Sequence, residues 1–166
     1  MQFLTGKSLL YIRILVLLII AYYLVKDPDA LSSAGFVILL GQAMQVPILK
    51  LNPNNQLIGL LSIFIVTTSL TDLIPLIAEN WSFFETLVPT RLTFYFIITA
   101  YIYFVPFSII SNSLIITYTM FEIWINFLIY NNLRDEKFYR MKKYVEENVD
   151  ALKQAQDEQI RIIERD

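Results

Sequence analysis

The 166-residue chain contains no cysteine and no histidine. The first absence excludes disulfides and thiol chemistry. The two together exclude most zinc sites and the commonest general base. Missing cysteine leaves the redox compartment undetermined. Glycine and proline are scarce, with four and six copies, and neither occurs after Gly59 and Pro106 respectively. Nothing therefore breaks a helix in the last third of the chain. Charge is nearly absent from residues 8–25, 57–77, 91–111 and 113–130. The net charge of −2 gives no reason to expect nucleic acid as a partner. No acidic metal-binding motif is present, and the serines and threonines lack a neighbouring base. Catalytic, cofactor-binding and metal-binding residues are thus not expected, and the chain reads as non-enzymatic.

What is there is apolar. Hydrophobic residues make up 56% of the chain, and the mean hydropathy is +0.54. The four nearly charge-free stretches approach the ~20 residues that a helix needs to cross a bilayer. By contrast, 17 of the 28 charged residues fall in 131–166. The expected fold is all-α: a polytopic transmembrane helix bundle over residues 1–130, followed by a charged cytosolic helical tail over 131–166. The lipid bilayer is the first partner.

Ser8–Val25 reads as a retained signal-anchor helix, because Ala21-Tyr22-Tyr23-Leu24-Val25 offers no small-residue cleavage site. It ends at Lys26-Asp27-Pro28-Asp29. Residues 34–51 read as a shallow, re-entrant or protein-covered helix, with a fifth span as the alternative. Asn52-Pro53-Asn54-Asn55-Gln56 is a turn. After the 57–77 span, residues 78–90 read as a short amphipathic connection, with Trp81, Phe83 and Phe84 suited to the membrane boundary. Arg91 then opens the next span, Pro106 and Ser111-Asn112-Ser113 mark a turn, and the last span continues as helix into the tail. There Phe138, Met141, Val145, Val149 and Leu152 form a narrow apolar stripe.

Arginine and lysine near span ends set orientation. Arg134, Lys137, Arg140, Lys142 and Lys143 place the tail in the cytosol, whereas residues 106–113 are uncharged. The N-terminus is cytosolic with four spans and lumenal with five. Asn80-Trp81-Ser82, a formal glycosylation sequon, should stay unmodified on this topology.

Four ionisable residues lie within or at the rim of the spans: Arg13, Asp72, Arg91 and Glu122. Each costs roughly 2–3.5 kcal/mol at mid-bilayer on insertion scales, so each needs a partner or water. Glu122 and Asn126 share one helix face, extended by Tyr118 and Tyr130. Asp72 sits one turn from Thr68, beside Thr71, and three residues before the helix-breaking Pro75. One reading makes these groups a polar pocket for a headgroup, ion or partner helix. The plainer reading is an interhelical ion-pair network that fixes packing. Arg13, near its span's start, can snorkel to the surface, and Arg91 reads as interfacial. Glu122 is the best single candidate for function. The many aromatic rings read as packing and boundary anchors more than a ligand cage.

Four local strings occur in order: Gln42-Ala43-Met44 with Pro47; Asp72-Leu73-Ile74-Pro75-Leu76; Val88-Pro89-Thr90-Arg91-Leu92; and Glu122-Ile123-Trp124-Ile125-Asn126-Phe127-Leu128 before Tyr130-Asn131. Over roughly residues 8–137 the chain resembles the fungal "increased loss of mitochondrial DNA" membrane-protein family. The resemblance implies a small polytopic protein of the endoplasmic reticulum, whose loss indirectly impairs mitochondrial genome maintenance. It supplies no catalytic residue. The expected role is an adaptor or accessory subunit working with other integral membrane proteins. A small lipid-binding or ion-conducting protein, with a possible bound lipid near Asp72, Arg91 and Glu122, is the alternative.

Overall fold

Thr5 opens the first helix by accepting the Ser8 N–H on its side chain, and the helix α1 runs Gly6–Lys26. The computed structural model describes residues 5–149. Asp27 ends α1 and, with Pro28 as the first helical residue, caps α2 (Pro28–Ser32) through the Ala30 N–H. Then come α3 (Gly35–Ala43), α4 (Leu57–Ile77), α5 (Trp81–Phe104) and α6 (Ser113–Glu147). No strand occurs among the described residues. Four helices, α1, α4, α5 and α6, are long and apolar enough to cross a membrane.

The side chains are distributed inside out. Arg13 is 1% exposed and both Asp72 and Glu122 are 0% exposed, while Leu15 is 59% and Phe64 70% exposed. A chain folded in water hides its leucines and phenylalanines and solvates its charge. The reverse arrangement needs an apolar solvent around the bundle, so the exposed rings and aliphatic chains face lipid. The chain is a multi-pass helical membrane protein.

α3 settles the 34–51 segment. Its nine residues reach only about 13 Å, well short of the ~30 Å hydrocarbon core. The chain turns back at Gln45, which takes the left-handed conformation (φ 54°). The returning segment then covers the start of α6: the Ser113 N–H donates to the Pro47 carbonyl (3.0 Å), and the Leu49 N–H donates to Ser113 Oγ (3.1 Å). One of the orphan N–H groups at the α6 terminus thereby finds a partner. Gly41 makes this approach possible, since a Cβ there would lie 2.7 Å from the Ser113 Cβ. The shallow, protein-covered reading holds, and the fifth span does not form.

The connection expected at 78–90 is instead the beginning of α5. Asn80 caps that helix by accepting the Phe83 N–H (3.2 Å), and only Ala78–Asn80 separates it from α4. The polar Ser82, Glu85 and Thr86 mimic loop composition but form the wet first turns of a 24-residue helix. Pro89 lies within α5 and Pro75 within α4, and neither ends its helix. At the other end, Ser111 and Asn112 close the turn as expected: the Ser111 hydroxyl donates to the Val105 carbonyl, and Asn112 caps α6.

α6 is 35 residues long and continues past the bundle, as the absence of helix breakers implies. Phe138, Met141 and Val145 lie exposed along it. Leu152 and the rest of the expected tail lie outside the described residues. With four crossings, the start of α1 and the emerging α6 share one side, here the tail side. Ion pairs tie that rim together. The Gly6 N–H donates to Glu136 Oε1 (2.8 Å), Lys7 pairs with Glu79 (2.9 Å), and Lys137 and Arg140 both reach Glu85 (2.7 and 3.2 Å). The hydrogen bond and charge of Lys7 hold the Glu79 carboxyl below the usual range. That tie is present above the ordinary carboxylate pKa and fades as pH falls through the lowered value.

Candidate functional site

The interior is layered along the helix axes. Leu10, Leu76, Phe84, Val88 and Ile129 form an apolar layer toward the tail side, and Val46, Ile102 and Ile116 a smaller one toward the opposite side. A polar layer lies between them, with one contribution or more from each spanning helix. Arg13 sits about 10 Å along α1 from Gly6. Its neighbours Leu9, Leu10, Ile14 and Leu17 are all buried, so the helix face that carries it must point inward.

Arg13 is the hub. Its Nε and Nη2 donate to Glu122 Oε2 and Oε1 (2.9 and 2.8 Å), a two-pronged pair matched to the planar guanidinium. Its Nη1 donates to Asp72 Oδ2. Arg91 grips the same carboxylate with both terminal nitrogens, each at 2.7 Å. The result is an alternating chain, Glu122–Arg13–Asp72–Arg91, that links α6, α1, α4 and α5 and carries no net charge. Glu122 also accepts from the Tyr118 hydroxyl (3.1 Å) and from Asn126 Nδ2 (2.7 Å). Tyr118 in turn lies 3.3 Å from the Tyr95 hydroxyl, with the rings edge to face.

All five residues singled out from the sequence thus meet in one place. Two of their expected positions need correction. Arg13 does not snorkel; it is among the most deeply buried side chains, because two carboxylates on other helices hold it inward. Arg91 turns inward onto Asp72 and not outward to the boundary. It lies ten residues inside α5 and is only 17% exposed. The α4 threonines do not join the site either: Thr68 and Thr71 turn their hydroxyls onto the Phe64 and Thr67 carbonyls of their own helix. Tyr130 lies outside the network. Tyr95 was the member missed. Its signal was its place one turn after Arg91 on the same face.

Each of the four carboxylate oxygens accepts at least one guanidinium N–H. Neither acid is left facing open space. Among the described residues, no three acidic side chains gather as a metal cluster. One polar atom breaks this saturation: Asn126 Oδ1 is buried without a donor. Desolvating two separated charges is expensive, so the network is a weak source of net stability. It strongly disfavours any arrangement that separates its members. Chemically it acts as a lock on the relative register of four helices. The aromatic rings mostly surround this core, and Phe84 is the one aromatic residue fully buried among the described residues.

The family described as Increased loss of mitochondrial DNA protein 1 matches residues 4–143. Protein ILM1 of Saccharomyces cerevisiae is 34% identical over 144 residues, which cover 86% of this chain and 70% of that protein. Protein ilm1 of Schizosaccharomyces pombe is 28% identical over 124 residues, covering 73% and 77%. No solved structure matches the chain. The matched span takes in the whole ionic network and the α3 return, and the chain belongs to the increased loss of mitochondrial DNA protein 1 family.

Proposed function

We propose that this protein is a non-enzymatic component of the endoplasmic reticulum membrane, an adaptor or accessory subunit of a larger membrane complex. Through that complex it is indirectly needed for maintenance of mitochondrial DNA, the process named in its family's description. The observation that carries this reading is the saturated, neutral ionic layer. A bundle whose buried charges are spent on one another is built to hold a shape. Its outer surface, rich in exposed rings such as Phe64, Phe94 and Trp124, offers broad contact area to neighbouring helices. The two 21-residue spans, about 32 Å long, fit the thinner bilayer of the endoplasmic reticulum with modest tilt. Crosslinking in native membranes, gentle extraction and mass spectrometry test the adaptor role. Reproducible recovery with other integral membrane proteins is expected; recovery of monomers or homo-oligomers alone counts against it.

Orientation follows from the cations on the emerging part of α6, which favour the cytosol. A cysteine-free chain makes this measurable with single reporters. In sealed microsomes, Lys143→Cys should react with an impermeant maleimide, and Asn54→Cys should react only after permeabilisation. The reverse pattern would invert the topology.

The buried, donorless Asn126 Oδ1 supports a second reading, in which the polar layer holds a small guest such as a lipid headgroup or an ion. On that reading Glu122→Gln changes ligand retention or conductance at unchanged protein abundance. On the leading reading the same substitution lowers abundance, because Arg13 loses half of its counter-charge.

A further inference from the structure

One cleft stands apart from the ionic layer. It lies at the tail-side rim, between the first turns of α5 and the part of α6 that leaves the bundle, with a volume of about 340 Å³. We propose that this cleft binds the phosphate-bearing headgroup of an anionic phospholipid. Neither the adaptor role nor the Asp72–Glu122 layer is needed for this assignment.

Three features point to that occupant. The first is the lining. Val88, Pro89 and Leu133 supply an apolar floor, while Tyr130, Arg134 and Lys137 recur at helical spacing along the facing wall. This is the profile of an amphiphile's polar–apolar junction. The second is charge. Arg134, Lys137 and Arg140 stand at the mouth against Glu85 and Asp135, an excess of one positive charge. Among the described residues, Glu85 occupies Lys137 and Arg140, while the Arg134 guanidinium bonds to its neighbour Asp135 at 3.4 Å. An exposed, planar, five-donor group at a cleft mouth suits a phosphate's oxygens. The third is depth. The cleft sits where α6 passes from apolar to charged sequence, beside the ring of Tyr130, at the level where headgroups lie. Basic pockets between spans at this level are suited to acidic headgroups. Pro89 adds an acceptor. Having no N–H, it leaves the Glu85 carbonyl without its usual helical partner at the cleft wall, where a headgroup hydroxyl or amine can donate to it.

The test is native mass spectrometry of the purified full chain, with phosphatidylinositol, phosphatidylserine or phosphatidylcholine added in neutral detergent. Adducts of the two acidic lipids should survive and those of phosphatidylcholine should not. Arg134→Gln should lower acidic-lipid retention on the order of fivefold. Glu85→Gln, which releases Lys137 and Arg140, should raise it, and a damaged fold would not produce a gain. Lys142→Gln with Lys143→Gln, on residues whose partners are Glu146 and Glu147 along the exposed helix, should change nothing. Excess inorganic phosphate should leave the adducts in place. Equal retention of all three lipids, or of parent, Arg134→Gln and Glu85→Gln, overturns the assignment. Equal loss in the Lys142/Lys143 variant, which would mean diffuse attraction, or displacement by free phosphate, which would mean an anion site, overturns it as well.

Discussion

Replacing Arg13 with methionine should cost the folded protein about 3–5 kcal/mol, the range for stranding one member of a buried ion pair. The stem is largely retained, so the loss is mainly electrostatic. Asp72 keeps the Arg91 fork, but Glu122 is left with only the Tyr118 hydroxyl and the Asn126 amide as donors. Glu122→Met should be comparably damaging from the other side, leaving Arg13 with Asp72 as its sole described counter-ion. The double variant is the informative one. Removing both charges leaves Asp72–Arg91 as a complete neutral pair, and most of the lost stability should return. Thermal unfolding in detergent, alongside steady-state abundance in cells, reads all three. Single variants as stable as the parent, or a double variant as poor as the sum of the singles, would show that the layer does not lock the bundle.

Gly41→Val should detach α3 from α6. The added Cβ would lie 2.7 Å from the Ser113 Cβ and 3.4 Å from its Cα, atoms that cannot swing aside as a long side chain could. Overpacking of this kind costs about 1–3 kcal/mol. It would break the Pro47 and Leu49 contacts that hold the returning segment. A reporter cysteine at Val46, buried in the parent beside Ile102 and Ile116, should become reactive to a thiol reagent in the variant. Gly59→Ala is the internal control. It lies in the first turn of α4 with open space around it, and should leave stability unchanged or raise it by about 0.5 kcal/mol. Continued protection of Val46→Cys in the Gly41→Val background would show that α3 packs without the close approach.

The sequence makes the four crossings legible because bilayer thickness imposes one length on every span, and four apolar runs meet it. Gln42, Gln45, Pro47 and Lys50 correctly argue against a fifth, since each would have to lie in hydrocarbon. The start of α5 is less readable. Ser82, Glu85, Thr86 and Pro89 have the composition of a loop, and only the capping geometry of Asn80 distinguishes the wet end of a long helix. Composition says where a helix is solvated better than where it begins.

The candidate site is legible in membership but not in depth. Asp72, Glu122 and Asn126 identify themselves, because a polar side chain inside an apolar run must find a polar partner or water. Arg13 is misjudged because snorkelling is a local option visible from α1 alone, whereas the counter-ions that defeat it lie 59 and 109 residues away. The same distance hides the rim ties of Gly6 to Glu136 and Lys137 to Glu85. Pairing between remote positions is a property of the packed helices, and periodicity along one helix carries no trace of it.

That separation has a consequence for synthesis. Glu122 is made 109 residues after Arg13, a wait of roughly 5–20 s at ordinary elongation rates. Until Asp72 follows, 59 residues after Arg13, a lone guanidinium sits on a nascent hydrophobic segment with no counter-ion beside it. A ribosome stalled before α6 releases a fragment holding Arg13, Asp72 and Arg91, one cation in excess. Such a fragment should linger at the insertion machinery or go to degradation, its excess guanidinium met only when α6 supplies Glu122.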